Sequence, residues 1–179
     1  MLYAFGFERV GVLVSDLYFV DPEPTPGQEG AERGVRLELR MLGQDELHGS
    51  IYSARPIKVD EPIWRVDLLE SVSSPPGSLN RAHHHPSFGG WEPGRRVFDA
   101  ELSADPVSWL GKELSDLTTV LGRAGVELDA SLQADAVSLR ERAPEIMNAV
   151  RGLLDGVKEG RLGLAPDGDE PESARLSWL

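Results

Sequence analysis

Apolar and polar side chains alternate along the N-terminal part of the chain, and a period of two is typical of β-strands. Strands are therefore predicted at residues 1–20, 35–41, 47–53, 57–59 and 63–72, and residues 96–102 are predicted to close the β region. Prolines at alternate positions between Asp21 and Gly27 cannot donate to a sheet, so a surface loop is predicted from there to about Gly34. The strand at 35–41 carries Arg36, Glu38 and Arg40 on one side, which predicts a charged outer face.

The hydrophobic period changes to 3.6 residues at Asp105, where an N-cap residue precedes a first-turn proline. An apolar stripe then predicts one helix from Pro106 to about Gly122 or Gly125. A second helical stretch is predicted at 132–142. Pro144 is predicted to open a third helix, which Gly160 ends.

Strands followed by helices indicate an α+β fold, with an N-terminal antiparallel sheet or partial barrel packed against C-terminal helices. We expect a single domain over residues 1–163, mainly β at 1–102 and mainly helical at 105–160, with no helix longer than two turns within 35–72. Residues 164–179 are predicted to form an acidic tail with an apolar end. Within this tail Ala165–Ser173 is expected to be flexible, and Trp178 is expected to pack against the domain or a partner.

Composition narrows the functional classes. The chain has 179 residues, a net charge of −12 and no cysteine, which excludes disulfides, thiolate metal sites and thiol nucleophiles. The acidity extends over both halves, so we expect the protein not to bind nucleic acid or anionic membranes. Neither a membrane-spanning apolar run nor a signal peptide is recognisable, so a cytoplasmic protein is expected. Fifteen arginines against three lysines suggest a GC-rich bacterial genome.

The segment from Arg81 to Arg96 contains three of the four histidines, at positions 83–85. A Pro-Pro-Gly loop at 73–78 makes strand 63–72 its expected antiparallel neighbour. In one register Asp67 lies opposite His83, and Arg65 lies opposite His85. In the other register Asp67 faces His84, and the two outer imidazoles lie on the apolar face of the strand.

Two imidazoles and a carboxylate are a common shell for a divalent metal and also suit acid–base chemistry. The candidate metal ligands are His83, His85 and Asp67. Further candidate ligands are His48, Glu70 and Glu92. At least two of the three imidazoles are predicted to lie within reach of a carboxylate from strand 63–72. A polar edge strand or a packed aromatic surface is the alternative.

Gly77, five residues and then His83-x-His85 resemble the first half of the first cupin motif. That resemblance implies a β-barrel in which these histidines bind metal. The sequence departs from the motif after His85, because six residues separate it from Glu92 and no histidine follows.

The segment Trp91–Arg96 contains two arginines and follows Phe88 and the Gly89-Gly90 pair. An exposed Trp91 with the arginines would bind an anionic or aromatic ligand. Alternatively, Trp91 anchors the loop in the core and the arginines pair with nearby acids. The full set of candidate ligand-binding residues is His83, His84, His85, Asp67, Arg81, Trp91, Glu92 and Arg95.

Sequence motifs for nucleotide phosphates, zinc proteases and serine hydrolases are absent. Two functional hypotheses therefore stand. The first is an acidic accessory protein that works through a protein partner or homo-oligomer. The second is a small metal- or ligand-binding domain or enzyme whose site is the histidine cluster at 83–85.

Overall fold

Three long antiparallel strands form the centre of a sheet because each carries apolar side chains at alternate positions that one layer of helices can cover. The computed structural model describes residues 1–168 and 171–179, and it confirms the α+β fold. The strands, in spatial order, are β1 Leu2–Gly6, β2 Val10–Val20, β3 Ala31–Gln44, β4 Ile57–Ser71 and β5 His83–His85. A β-bulge near Arg40 shifts the register between β3 and β4.

Two small elements complete the β region. The hairpin β6 Phe88–Gly89 and β7 Glu92–Pro93 follows β5, and its two-residue turn uses Gly90 at a φ of 62°. A last strand, β8 Ala174–Leu176, pairs with the end of β2, on the edge of β2 that β1 also uses.

Four helices follow in the described part of the chain, each started by an aspartate that accepts backbone N–H groups. They are α1 Ala100–Ala104, α2 Pro106–Ser115, α3 Leu117–Arg123 and α4 Ala130–Lys158. The predicted cap is confirmed, since the Asp105 carboxylate accepts from the Ser108 N–H at 3.0 Å. The single helix predicted from Pro106 is wrong, because Asp116 ends α2 and caps α3.

The prediction that Pro144 opens a separate helix is also wrong, because α4 is continuous over 29 residues. The proline removes one helical hydrogen bond, but its side chain is exposed. The buried stripe passes it on both sides, through Leu139, Ala143, Ile146 and Val150. Packing of this stripe on the sheet therefore outweighs the local cost of the proline. The helix ends as predicted before Gly160, whose φ is 70°.

Residues 35–72 contain no helix, as predicted, but two predicted strands are wrong. The segment 47–53 lies in the β3–β4 loop, where the Ser53 N–H donates to the Ser50 carbonyl and closes a turn. In 96–102 only Val97 pairs with the sheet, through a bridge to His84, and α1 then begins.

The predicted tail is partly built into the fold, since β8 joins the sheet. Trp178 is 70% exposed, so the prediction that it packs against the domain is wrong, whereas packing against a partner stays a prediction. The flexible stretch predicted at Ala165–Ser173 includes residues 169 and 170, which lie outside the described residues. In the part of the chain that is described, none of the helices has the length and hydropathy needed to cross a membrane.

The main core lies between the sheet and the helices. Helix α4 packs on β2 and β3, α2 packs on α4, and α3 packs on β4. The sheet contributes three apolar rows to this core: Val12–Leu39–Trp64, Val14–Leu37–Val66 and, beside them, Val35–Leu68. Burial of these side chains supplies the main stabilising contribution to the fold.

One imidazole also lies on this core face. The His84 ring is centred 5.0 Å from the Trp109 ring and 6.5 Å from the Trp64 ring. Its Nδ1 is buried and has no hydrogen-bond partner among the described residues. Burial, helped by the charge of Arg123, lowers the pKa of His84 to about 4. The ring is therefore neutral at physiological pH.

This environment predicts a pH dependence of stability. The pKa of His84 is about 4 in the folded state and about 6.5 in the unfolded chain, so only the unfolded chain gains a proton between those values. The stability contributed by neutral His84 is complete above about pH 6.5 and falls as the pH drops towards 4. Titration of the ring by NMR should give a value near 4, whereas a titration near 6.5 would contradict this placement.

Candidate functional site

The second face of the sheet is polar although it is buried. Opposite the helices, cross-strand neighbours form the row Ser15–Arg36–Asp67–His83 and the row Leu13–Glu38–Arg65–His85. This is the first of the two registers considered above, with Asp67 opposite His83 and Arg65 opposite His85. Arg36 and Glu38 are only 5% and 1% exposed, so the prediction of a charged face towards solvent is wrong.

The chain after β5 covers this face. The β6–β7 hairpin lies over one end, and Arg96 is bound to the β2–β3 loop through Gln28 at 2.8 Å and Asp21 at 3.3 Å. Arg175 reaches the same face from β8. Together these segments leave a pocket of about 470 Å³ on the sheet, which is within the usual size range for small-molecule sites.

Asp67 lies at the centre of the pocket floor and is 1% exposed. The Arg36 guanidinium donates to both of its oxygens, at 2.6 and 3.3 Å, and Arg65 Nε lies 3.1 Å from Oδ2. Burial by itself would raise the pKa of Asp67. The positive charges of Arg36 and Arg65 outweigh this effect and hold the pKa of Asp67 well below its usual range. Asp67 is therefore an ionised carboxylate whose charge is already compensated.

The outer histidines present the same nitrogen to the pocket. Nδ1 of His83 lies 2.8 Å from the Arg81 carbonyl, and Nδ1 of His85 lies 2.7 Å from the Gly94 carbonyl. A carbonyl only accepts, so each Nδ1 carries a proton and each Nε2 is directed to the floor. The two Nε2 atoms lie 3.4 and 3.7 Å from Asp67 Oδ2. The prediction that at least two imidazoles lie near a carboxylate of this strand is thus confirmed in geometry.

Arg65 joins the two rows. Its Nη2 lies 2.9 Å from His85 Nε2, which accepts this hydrogen bond, and its Nη1 lies 3.6 Å from Glu38 Oε1. Glu38 in turn accepts from Arg40 Nε at 2.8 Å. Burial lowers the pKa of His85, which agrees with a neutral ring that accepts from Arg65.

Arginine is the most frequent charged residue around the pocket. Among the described residues five arginines line it, at positions 36, 40, 65, 96 and 175, against three carboxylates, Glu38, Asp67 and Glu92. Burial lowers the pKa of Arg65 and of Arg175, and the nearby Arg36 charge lowers both further. Positive charge is therefore crowded here, in a chain whose net charge is −12.

One buried carboxyl group lies near this network. Glu32 is 3% exposed, and neither oxygen has a hydrogen-bond partner among the described residues. Arg81 Nε is 4.0 Å away. Burial raises the pKa of Glu32.

The structure brings some of the candidate residues together and separates others. Asp67, His83 and His85 each place one ligand atom within 4.8 Å of the other two. Trp91 and Glu92 lie at the pocket mouth. His84 lies on the opposite face of the sheet. Arg81 lies beside Glu32, and Glu70 forms an ion pair with Arg33. Arg95 and His48 are exposed and lie outside the pocket.

Arg36, Arg40 and Arg175 line the pocket but were not among the site residues predicted from the sequence. The signal for the first two was present, because Arg36, Glu38 and Arg40 alternate on one strand face. Alternating charge normally indicates solvent. Only the position of the hairpin and β8 shows that this face is covered.

The cupin-like spacing at Gly77–His85 does not lie in a closed barrel. Among the described residues the sheet is open, with the order β1–β2–β3–β4–β5 and β8 paired with the end of β2. Comparison with known protein families found no matching model, and searches of curated proteins and of solved structures found no match. The site itself is therefore the basis for a functional proposal.

Replacing Asp67 by Asn should destabilise the protein by about 3–5 kcal/mol, because it leaves two buried guanidinium groups without their shared counter-ion. Denaturant titration measures this change. Asp60→Asn is a matched control on the same strand, where the partner is the exposed Lys58, and should leave the unfolding midpoint nearly unchanged. Equal effects from the two substitutions would contradict a central role for Asp67.

Proposed function

We propose that this protein is a ligand-binding domain that takes a small anion into the pocket on the polar face of its sheet. The observation that supports this most is the convergence of five arginines on one partly enclosed space. Guanidinium groups bind carboxylate and phosphate oxygens through two parallel hydrogen bonds, so their clustering favours such anions. The depressed pKa of Arg65 and Arg175 supports the same ligand charge, since a bound anion would relieve their repulsion.

A divalent cation at Asp67, His83 and His85 is the competing ligand. The three side chains have suitable ligand atoms within 4.8 Å of one another. The Asp67 carboxylate, however, is already neutralised by Arg36 and Arg65, and Arg65 also donates to His85. A metal ion at this place would be repelled by both guanidinium groups. Two unit charges of the same sign about 4 Å apart repel each other by ~4 kcal/mol at an effective dielectric constant of about 20. This repulsion favours an anion over a metal.

Four of the five arginines are paired with carboxylates, namely Arg36 and Arg65 with Asp67, Arg40 with Glu38, and Arg96 with Asp21. Arg36 and Arg65 are held by Asp67 and fix the floor of the pocket. Arg175 is exposed, lines the pocket and has no ion-pair partner within the described residues. It is therefore the cation best placed to contact a ligand without first breaking a structural ion pair.

Calorimetric titration with inorganic phosphate tests the proposal. Arg175→Gln should weaken phosphate binding by about tenfold or more, because it removes a charge-assisted hydrogen bond while leaving the floor intact. Arg142→Gln is the matched control, since Arg142 is exposed on α4 and pairs with Glu145. Binding should also weaken with added salt.

A parallel titration with Zn²⁺ separates the two ligand classes. If the wild type binds no phosphate but binds one Zn²⁺, and His83→Gln abolishes the zinc binding, the anion proposal is wrong and the metal hypothesis replaces it. Phosphate binding that Arg175→Gln leaves unchanged would also contradict the proposal.

We also propose a second role, a protein-interaction surface at the β3–β4 loop. Ile51 is 83% exposed, Tyr52 is 92% exposed, and Ile57, where the loop meets β4, is 75% exposed. Adjacent exposed apolar side chains are a feature of interaction sites.

Sedimentation of the wild type and of an Ile51→Ser, Tyr52→Ser variant tests self-association. The variant should need a higher protein concentration than the wild type to self-associate. A wild type that is monomeric at all concentrations measured would exclude the homo-oligomer.

A further inference from the structure

The polarity of the pocket changes from its floor to its mouth. The floor is formed by buried charged groups, with Asp67 and Arg36 at 1% and 5% exposure. At the mouth stand Phe88, which is half-buried, and Trp91, which is 57% exposed. A ligand that fits this gradient carries its charge at one end and an apolar surface at the other.

Arginines on the polar face hold the two aromatic rings at the mouth. The Arg40 guanidinium lies 5.4 Å from the Trp91 ring centre, and the Arg65 guanidinium lies 5.6 Å from the Phe88 ring centre. Both distances are within the range of cation–π attraction. Trp91 also lies in the tight turn between β6 and β7, which restricts its backbone. The rings are thus placed by the same arginines that line the anion site.

Exposure of a single tryptophan is common and by itself indicates nothing. Trp178 is more exposed than Trp91, at 70%, but it does not line this pocket. What distinguishes Trp91 is that it lines the same space of about 470 Å³ as the five arginines. That volume accommodates a phosphate group together with a ring system.

We propose that the ligand is a phosphate ester that also carries a planar aromatic ring, as a nucleoside monophosphate does, with the phosphate at the arginines and the ring against Trp91 and Phe88. This inference rests on the proposed anion-binding function and adds the ligand class. Tetrahedral phosphate oxygens accept from several guanidinium groups at once, which suits arginines that approach from different strands. Stacking on an aromatic side chain then adds affinity without base-specific hydrogen bonds.

Four probes measured by calorimetry on the full chain test this ligand class: inorganic phosphate, glycerol 3-phosphate, adenosine 5′-monophosphate and adenosine. The nucleotide should bind about tenfold more tightly than glycerol 3-phosphate, because stacking on one aromatic side chain contributes an effect of at least that order. Adenosine alone should bind much more weakly than the nucleotide.

Substitution of Trp91 separates stacking from a structural effect. Trp91→Leu should remove the tenfold preference for the nucleotide and leave the affinity for inorganic phosphate unchanged. Trp178→Leu, the matched control at an exposed tryptophan outside the pocket, should change neither value.

The possible failures are distinguishable. If phosphate and the nucleotide bind equally, the aromatic ligand class is wrong and the anion pocket stands. If Trp91→Leu weakens both ligands equally, Trp91 supports the fold of the hairpin and the stacking inference is wrong. If none of the phosphate compounds binds, both the ligand class and the anion-binding function are wrong.

Discussion

The ion pair between Asp67 and Arg36 is the interaction on which the polar half of this protein depends. Both side chains are almost fully buried in the middle of a sheet, where an unpaired charge would be very costly. Because the two residues are direct cross-strand neighbours, the pairing of β3 with β4 sets their separation. Arg65 and the two outer imidazoles then assemble around the same carboxylate oxygen.

This arrangement also decides which sign of charge the pocket selects. A carboxylate with no other partner beside two imidazoles would attract a cation. Here two guanidinium groups already compensate the carboxylate, and further arginines stand above them. The same three residues that suggest a metal site in the sequence therefore form the base of a cationic pocket, because of neighbours that are distant along the chain.

Sequence alone predicted the parts of the structure that depend on local pattern. The layer order, the Asp105 cap and the proximity of Asp67 to the histidines follow from periodicity, capping chemistry and a short loop. Pro144 and Asp116 were misjudged because helix continuity depends on what each face packs against as well as on the residue. Arg175 was not predictable as a pocket residue, since its position depends on the pairing of β8 with β2.

The three-residue strand β5 has a mechanical consequence. Its alternation directs His83 and His85 into the pocket and fixes the His84 ring against Trp64 and Trp109 on the other side. A sliding or twisting of this strand would have to displace a ring inside the tightly packed helical core. The packing of His84 in the core therefore fixes the positions of His83 and His85, and the pocket floor is rigid. A ligand must therefore fit the pocket floor in its existing shape, and the residues of the floor lose little conformational entropy when the ligand binds.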